Sequence, residues 1–297
     1  MKHIGVIGAS GLMGHGIARN LRARGFELSL TVHRNTARVA DLLAAGAKQV
    51  GSAAELGACD AVILCVTGSP QVEEVLSGPQ GLLSRARAGL IVIDTSTSEP
   101  ASTRRLAALC AGQGVTLVDA PLARTPTEAE LGKLNTMVGA EPAVFDKVRP
   151  VLAAYCENIF HVGGPGAGHV IKLLNNFVGQ AICTATAEAF AVGALAGIAP
   201  ARLVEVISAG AVNSGLFQAM AKTLDGNFEG IRFELDNARK DLRYYTHLAE
   251  EVKVPAIVGE AVHQSLVMAS ALGQGANYVP ALVTAQERLT GAQIAPQ

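Results

Sequence analysis

The chain has no tryptophan, and aromatic residues make up only 4% of its 297 positions. Hydrophobic residues still reach 49%, and 32 glycines are present. Apolar content carried by small side chains suits helices packed closely on a parallel sheet. Excess charge is missing too. A net charge of -1 leaves neither an acidic tail nor the basic footprint that a nucleic-acid partner requires. The five cysteines, Cys59, Cys65, Cys110, Cys156 and Cys183, form no Cys-x-x-Cys pair and no metal-ligand spacing. They read as reduced core thiols of a cytoplasmic protein that holds no metal. No signal-peptide layout is seen, because Lys2-His3 leads into a short strand instead of a long apolar run. The length allows two domains and a substantial core.

Long hydrophobic runs are nearly absent, with one exception. Phe177 to Ile198 is long enough to cross a bilayer, for which about 20 apolar residues suffice. It carries Gln180 and Glu188, leans on Ala and Gly more than Leu, and stands alone. A mid-bilayer carboxylate is costly, so an internal helix is expected and no membrane partner.

What is present begins with His3-Ile4-Gly5-Val6-Ile7, a short apolar run. It is followed by Gly8-Ala9-Ser10-Gly11-Leu12-Met13-Gly14 and a helical pattern from His15 to Arg24. Strand, glycine turn and helix together make a dinucleotide-binding fingerprint: glycines permit close backbone approach, and the helix N-terminus faces the pyrophosphate. Gly8, Ser10, Gly11, Leu12, Met13 and Gly14 are therefore candidate cofactor contacts. The spacing is one residue longer before the second glycine than the usual motif, which bears on the turn's fine geometry more than on its job. The second strand, Leu28 to Val32, runs into His33-Arg34-Asn35-Thr36. An NAD-selective site commonly offers a carboxylate here. None is present, while Arg34, with Asn35 or Thr36, could meet a 2′-phosphate. This favours NADP over NAD; the alternative is that Arg34 is a solvated loop charge.

Further along, Ala61–Val66 and Leu90–Asp94 are continuous apolar runs, as strands buried on both faces should be. Val115–Val118 and Leu134–Val138 are further strands, with helical patterns between, while 120–132 reads mostly as loop. The alternation predicts a Rossmann-type, doubly wound parallel sheet. Ligands bind such sheets at the carboxyl ends of the strands, where Ser96-Thr97 and the loop after Asp119 fall. After Phe160-His161-Val162 no strand-like run remains, and five or so helical segments follow a long one. The expected division is a dinucleotide-binding domain over 1–163 and an all-helical substrate and dimerisation domain over 164–297.

The long segment opens with a glycine-rich turn, Gly163 to Gly168, and between Val170 and Ile198 carries only Lys172 and Glu188 as formal charges. Lys172 shares a helix stripe with Asn175 or Asn176 and with Gly179. A lysine in a helix apolar nearly all round needs either a structural partner or a catalytic task. The all-round hydrophobicity also points to assembly, as a homodimer or homotetramer.

Five segments, in order, resemble the β-hydroxyacid dehydrogenase family, which includes 3-hydroxyisobutyrate dehydrogenases and tartronate semialdehyde reductases. They are the glycine turn ending in Met13-Gly14, Asp94-Thr95-Ser96-Thr97-Ser98-Glu99-Pro100, and Asp119-Ala120-Pro121 with Gly132-x-Leu134 and Met137-Val138-Gly139. Gly166-x-Gly168-x-x-x-Lys172-x-x-Asn175-Asn176 and Lys240-Asp241-Leu242 complete the set. The resemblance implies NAD(P)-dependent interconversion of a short 3-hydroxy acid and its semialdehyde. It makes Lys172 the proton donor, Asn176 its positioning partner, Ser96 and Asn175 substrate contacts, and Val66, Thr67, Thr97 and Lys240 cofactor neighbours.

The departure concerns the substrate. Where most relatives read Val-Ser-Gly-Gly after Asp-Ala-Pro, this chain reads Leu122-Ala123-Arg124-Thr125. A guanidinium in place of a hydroxyl and an amide nest keeps the site fit for a small anion, so Arg124 and Thr125 are candidate substrate contacts. The alternative is a loop charge pointing to solvent. The Arg-Thr pair is similar to the sulfolactaldehyde reductase branch, yet that branch has a serine where this chain has Gly179. A carboxylate semialdehyde therefore leads, with a sulfonate reductase as the alternative. An imine reductase-like or non-catalytic cofactor-binding relative is disfavoured by the presence of Lys172.

Overall fold

A computed structural model describes residues 1–32 and 36–296. Arg34 and Asn35, two of the candidate 2′-phosphate contacts, lie outside the described residues. The chain forms two compact units, Met1–Lys172 and the part from Leu173 on.

In the first unit, β1 (His3–Ile7), β2 (Glu27–Thr31), β3 (Lys48–Val50), β4 (Ala61–Leu64), β5 (Ile91–Asp94) and β6 (Thr116–Asp119) follow one another along the chain. They lie parallel in the order β3-β2-β1-β4-β5-β6. The continuous apolar runs are explained by their two destinations. Ile63, Ile93 and Val118 enter the core on one face, and Val62, Leu64, Val92 and Leu117 enter the core on the other, as a period of two requires. Helices α1 (Gly14–Ala23), α2 (Ala40–Ala44), α3 (Ser69–Ser77) and α4 (Pro100–Ala111) are interleaved with these strands. Strand order reverses direction between β1 and β4, the point at which ligands bind doubly wound sheets.

The segment expected to be mostly loop is more ordered than its composition indicates. It contains β7 (Leu122–Ala123) and α5 (Pro126–Leu131). The signal for α5 was present as Thr125-Pro126-Thr127-Glu128. Thr125 caps the helix, Glu128 returns the bond to the Thr125 amide, and Pro126 holds the first helical position. The sheet also departs from a purely parallel pattern. β8 (Leu134–Gly139) runs antiparallel to β6 and β7, and β9 (Cys156–Gly163), reached through α6 (Pro142–Leu152), pairs parallel with β8.

Helix α7 (Ala167–Leu195) is the long apolar segment. Its first turns belong to the first unit, so the compact units divide after Lys172, later than the glycine turn. From Leu173 the second unit continues through α8 (Pro200–Ser208), α9 (Gly215–Ala221), α10 (Leu235–Glu251), α11 (Ile257–Ala269) and α12 (Leu282–Thr290). Length and composition alone would let α7 span a membrane. One side of it enters the second unit's core, where Cys183, Ala187 and Phe190 pack with Phe217, Met220, Leu242 and Leu266. Phe177 stacks on Tyr245 with ring centroids 4.2 Å apart.

Candidate active site

The glycine turn is shaped by close contacts. Gly8 has φ +93°, and a Cβ there would lie 2.1 Å from the Cys65 carbonyl oxygen at the end of β4. A Cβ on Gly14 would lie 2.1 Å from the Gly8 carbonyl oxygen. The Gly11 amide closes the turn onto that same carbonyl at 2.9 Å. No side chain caps α1 and no acid stands in its first turn, which leaves its N-terminus suited to an anion. These features fit a dinucleotide pyrophosphate. Ser10 is half-buried, Leu12 exposed, and Val66 and Thr67 follow β4 beside the turn. Thr36 is exposed at the start of a short 3-10 turn.

At the carboxyl end of β5, Asp94 accepts from the Ser96 amide at 2.9 Å. Ser96 is buried, and its hydroxyl oxygen accepts from the Val66 amide at 3.1 Å. Its side chain therefore joins the loops after β4 and β5, leaving the hydroxyl proton for any substrate contact. Thr97 beside it is half-buried. At the end of β6, Asp119 accepts from the Gly166 amide at 2.7 Å and from the His169 amide at 2.9 Å. One carboxylate thus seats the start of the helix that carries Lys172. Lys172 itself is half-buried.

The loop after β7 has an unusual backbone. Arg124 takes φ +80°, a region that favours glycine. Its Nη1 donates to the Lys133 carbonyl at 2.6 Å and to Glu157 at 2.5 Å. The side chain is therefore paired, at the exposed surface, with Glu157 of β9. The Thr125 hydroxyl is occupied by the α5 capping box.

In the second unit, Asn176 is buried and donates from Nδ2 to Asp241 on α10 at 2.6 Å. Asn175 donates to its Oδ1 at 3.2 Å. Asp241 is buried and ion-paired with Lys240 at 2.9 Å. The Lys240 ammonium lies 5.1 Å from the centroid of the Tyr244 ring. Asn176 and Lys240, far apart in sequence, thus meet on one carboxylate. Asp119, His169 and Asp241 were not singled out as site residues, although Asp119 and Asp241 lie inside the quoted motifs. No local pattern marks a carboxylate as the cap of a distant helix.

Comparison with known proteins places the chain in a family. A family model described as the NAD binding domain of 6-phosphogluconate dehydrogenase matches residues 3–163. A second, the NAD-binding region of NADP-dependent 3-hydroxyisobutyrate dehydrogenase, matches 166–285. The chain is similar to 2-(hydroxymethyl)glutarate dehydrogenase of Eubacterium barkeri, at 33% identity over 98% of this chain and 97% of the relative. It is also similar to 3-sulfolactaldehyde reductase of Escherichia coli, at 30% identity over 89% of each. A solved 3-hydroxyisobutyrate dehydrogenase from Salmonella typhimurium superposes with a TM-score of 0.83 at 29% identity, covering 96% of this chain and 99% of that one. The chain belongs to the β-hydroxyacid dehydrogenase family. It is an oxidoreductase with NAD(P)-binding domains.

In this β-hydroxyacid dehydrogenase the glycine turn is also tied to α5 and α2 by a polar cluster. His15, one residue past Gly14, lies with Nδ1 2.7 Å from Glu130 on α5 and Nε2 3.1 Å from Asp41 on α2. Burial pulls the His15 pKa down, but hydrogen bonds to Glu130 and Asp41 and their charges outweigh it, and the net shift is upward. The bond from His15 holds the Asp41 carboxyl below its ordinary value. A raised histidine stabilises the fold below its unfolded pKa of 6.5, and that stability disappears as pH rises through the folded value. A lowered aspartate stabilises above 3.8 and loses its effect as pH falls through the folded value. The melting-temperature deficit of His15→Gln should therefore be largest between about pH 4 and 6.5 and shrink at alkaline pH. A deficit that grows above pH 8 would contradict the assignment.

Proposed function

We propose that the chain is an NADP-preferring dehydrogenase that interconverts a short 3-hydroxy acid and its acidic semialdehyde, with Lys172 as the general acid and base. The observation that carries this reading is a half-buried lysine one turn before Asn176 on a single helix, with Asn176 fixed by a buried carboxylate. NADPH, when bound, supplies the hydride for reduction. Lys172 Nζ gives a proton to the carbonyl oxygen as negative charge develops there, and takes it back in the oxidative direction. Asp241 fixes which way round the Asn176 amide sits, so that its oxygen remains the acceptor for an ammonium or a substrate hydroxyl. NADP is supported by the lack of an acid after the second strand and by the match of residues 166–285 to a family of NADP-dependent 3-hydroxyisobutyrate dehydrogenases.

Arg124 is the assigned anion contact. Both of its hydrogen bonds use Nη1, so the edge formed by Nε and Nη2 remains for a bidentate partner. A sulfonate substrate is the second reading, favoured by this arginine and by the 30%-identical sulfolactaldehyde reductase. The free thiols support a cytoplasmic enzyme. Val178, Val192 and Leu195 on α7 are more than half exposed, which supports a second copy covering that helix in a homodimer or homotetramer.

Lys172→Ala should lower turnover about 1000-fold, within the range of lost general acid catalysis, while NADPH affinity by fluorescence titration stays unchanged. Full turnover in that variant would sink the reading. Arg124→Ala should raise KM for 3-hydroxy acids or sulfonates about tenfold or more without weakening NADPH binding. A panel of both substrate classes, assayed with NADP and NAD, decides among substrates and cofactors; an unchanged KM with a lowered melting temperature would make Arg124 a structural tie to Glu157. Sedimentation should give a dimer or tetramer, and a monomer at micromolar concentration would remove the assembly role of α7.

A further inference from the structure

Asp94 and Asp119 are in-register partners on the neighbouring parallel strands β5 and β6, and both are buried. Carboxylates set side by side away from water repel one another. The ring beside both is that of His169, itself fully buried. Nε2 is 3.8 Å from Asp94 Oδ2 and Nδ1 is 3.9 Å from Asp119 Oδ2, too far for hydrogen bonds. The shorter contacts lead elsewhere. Nε2 is 3.2 Å from the Ser96 carbonyl oxygen, and Nδ1 is 2.8 Å from the Thr103 hydroxyl on α4. A carbonyl oxygen only accepts, so Nε2 carries the proton and donates to Ser96. The His169 backbone amide donates to Asp119, so backbone and ring of one residue hold two different strand ends.

Ser96 is gripped on three sides. Its amide donates to Asp94, its hydroxyl oxygen accepts from Val66, and its carbonyl accepts from His169. His169 lies three residues before Lys172 on α7, which places them as neighbours on the helix surface.

We propose that His169 is a positioning residue whose Nε2–H locks the Ser96-Thr97 segment to the helix turn carrying Lys172. The loop beside the nicotinamide position and the proton donor then move as one body. The consequence for turnover rests on the dehydrogenase reading above; the lock itself does not.

The test uses the full-length protein with His169→Gln, His169→Asn and His169→Ala. A glutamine amide nitrogen reaches where Nε2 stands and can still donate to Ser96, whereas an asparagine amide reaches only the Nδ1 position. Amide hydrogen exchange across residues 95–99 should match wild type in the glutamine variant and be about tenfold faster in the asparagine and alanine variants, the scale of one buried hydrogen bond. With a competent substrate, kcat should fall about tenfold in Asn and Ala and be restored in Gln, with NADPH affinity unchanged throughout. Equal exchange in the glutamine and asparagine variants, or the reverse order, overturns the proposal. That comparison stands if the alanine variant does not fold. If no substrate turns over but the exchange pattern holds, the lock stands and the catalytic reading fails.

Discussion

The candidate site depends on one carboxylate bonded to the start of one helix. Asp119 takes the Gly166 amide on one oxygen and the His169 amide on the other. Amides at a helix start have no partner within the helix, and negative charge is favoured there. Burial raises the Asp119 pKa, while His169 and the two amides work against that rise. Gly139 and Gly168 let the three segments close on one another. A Cβ at Gly139 would lie 2.4 Å from Asp119 Oδ1, and one at Gly168 would lie 2.3 Å from the Met137 carbonyl oxygen. Because an α-helix is stiff over a turn and a half, fixing residues 166–169 also fixes where Lys172 leaves the helix.

A second buried carboxylate organises the other unit in a related way. Asp241 holds Asn176 by a charge-assisted hydrogen bond and Lys240 by an ion pair. Breaking a buried pair of this kind by removing one partner costs about 3–5 kcal/mol, because the other charge is left uncompensated. Neighbouring Lys240 and Asp241 therefore form a unit in which the lysine neutralises and the aspartate orients. Each unit uses an aspartate in its interior to fix a residue of α7.

Much of this was legible in the sequence because it is written in local patterns. Apolar runs between helical segments gave five of the first six strands, the short polar β3 excepted, the glycine turn announced itself directly after β1, and Lys172 stood out as a charge in an apolar helix. What escaped depends on distant contacts. Asp119 and Gly166 are far apart in the chain, and nothing near either names the other. His169 has no local signal, since its value lies in Ser96 and Thr103 across the fold. The strand at Leu134–Val138 was legible, but its antiparallel direction was not, because strand composition does not encode direction. Helix α5 was legible through Thr125-Pro126-Thr127-Glu128 but was overlooked beside the turn residues around it.

Arg124 sits where both kinds of information meet. It takes a left-handed backbone, φ +80°, with a branched cation where glycine would be unstrained. That conformation costs an L-residue about 1–2 kcal/mol. The bonds from Nη1 to Lys133 and Glu157 offset part of it, but a lysine or a neutral donor could do the same without a planar fork. The geometry that only arginine supplies is the second edge, with its donors in one plane. That edge is what the proposed anion-binding role of Arg124 requires, and the bonds from Nη1 to the Lys133 carbonyl and Glu157 hold the guanidinium in one orientation.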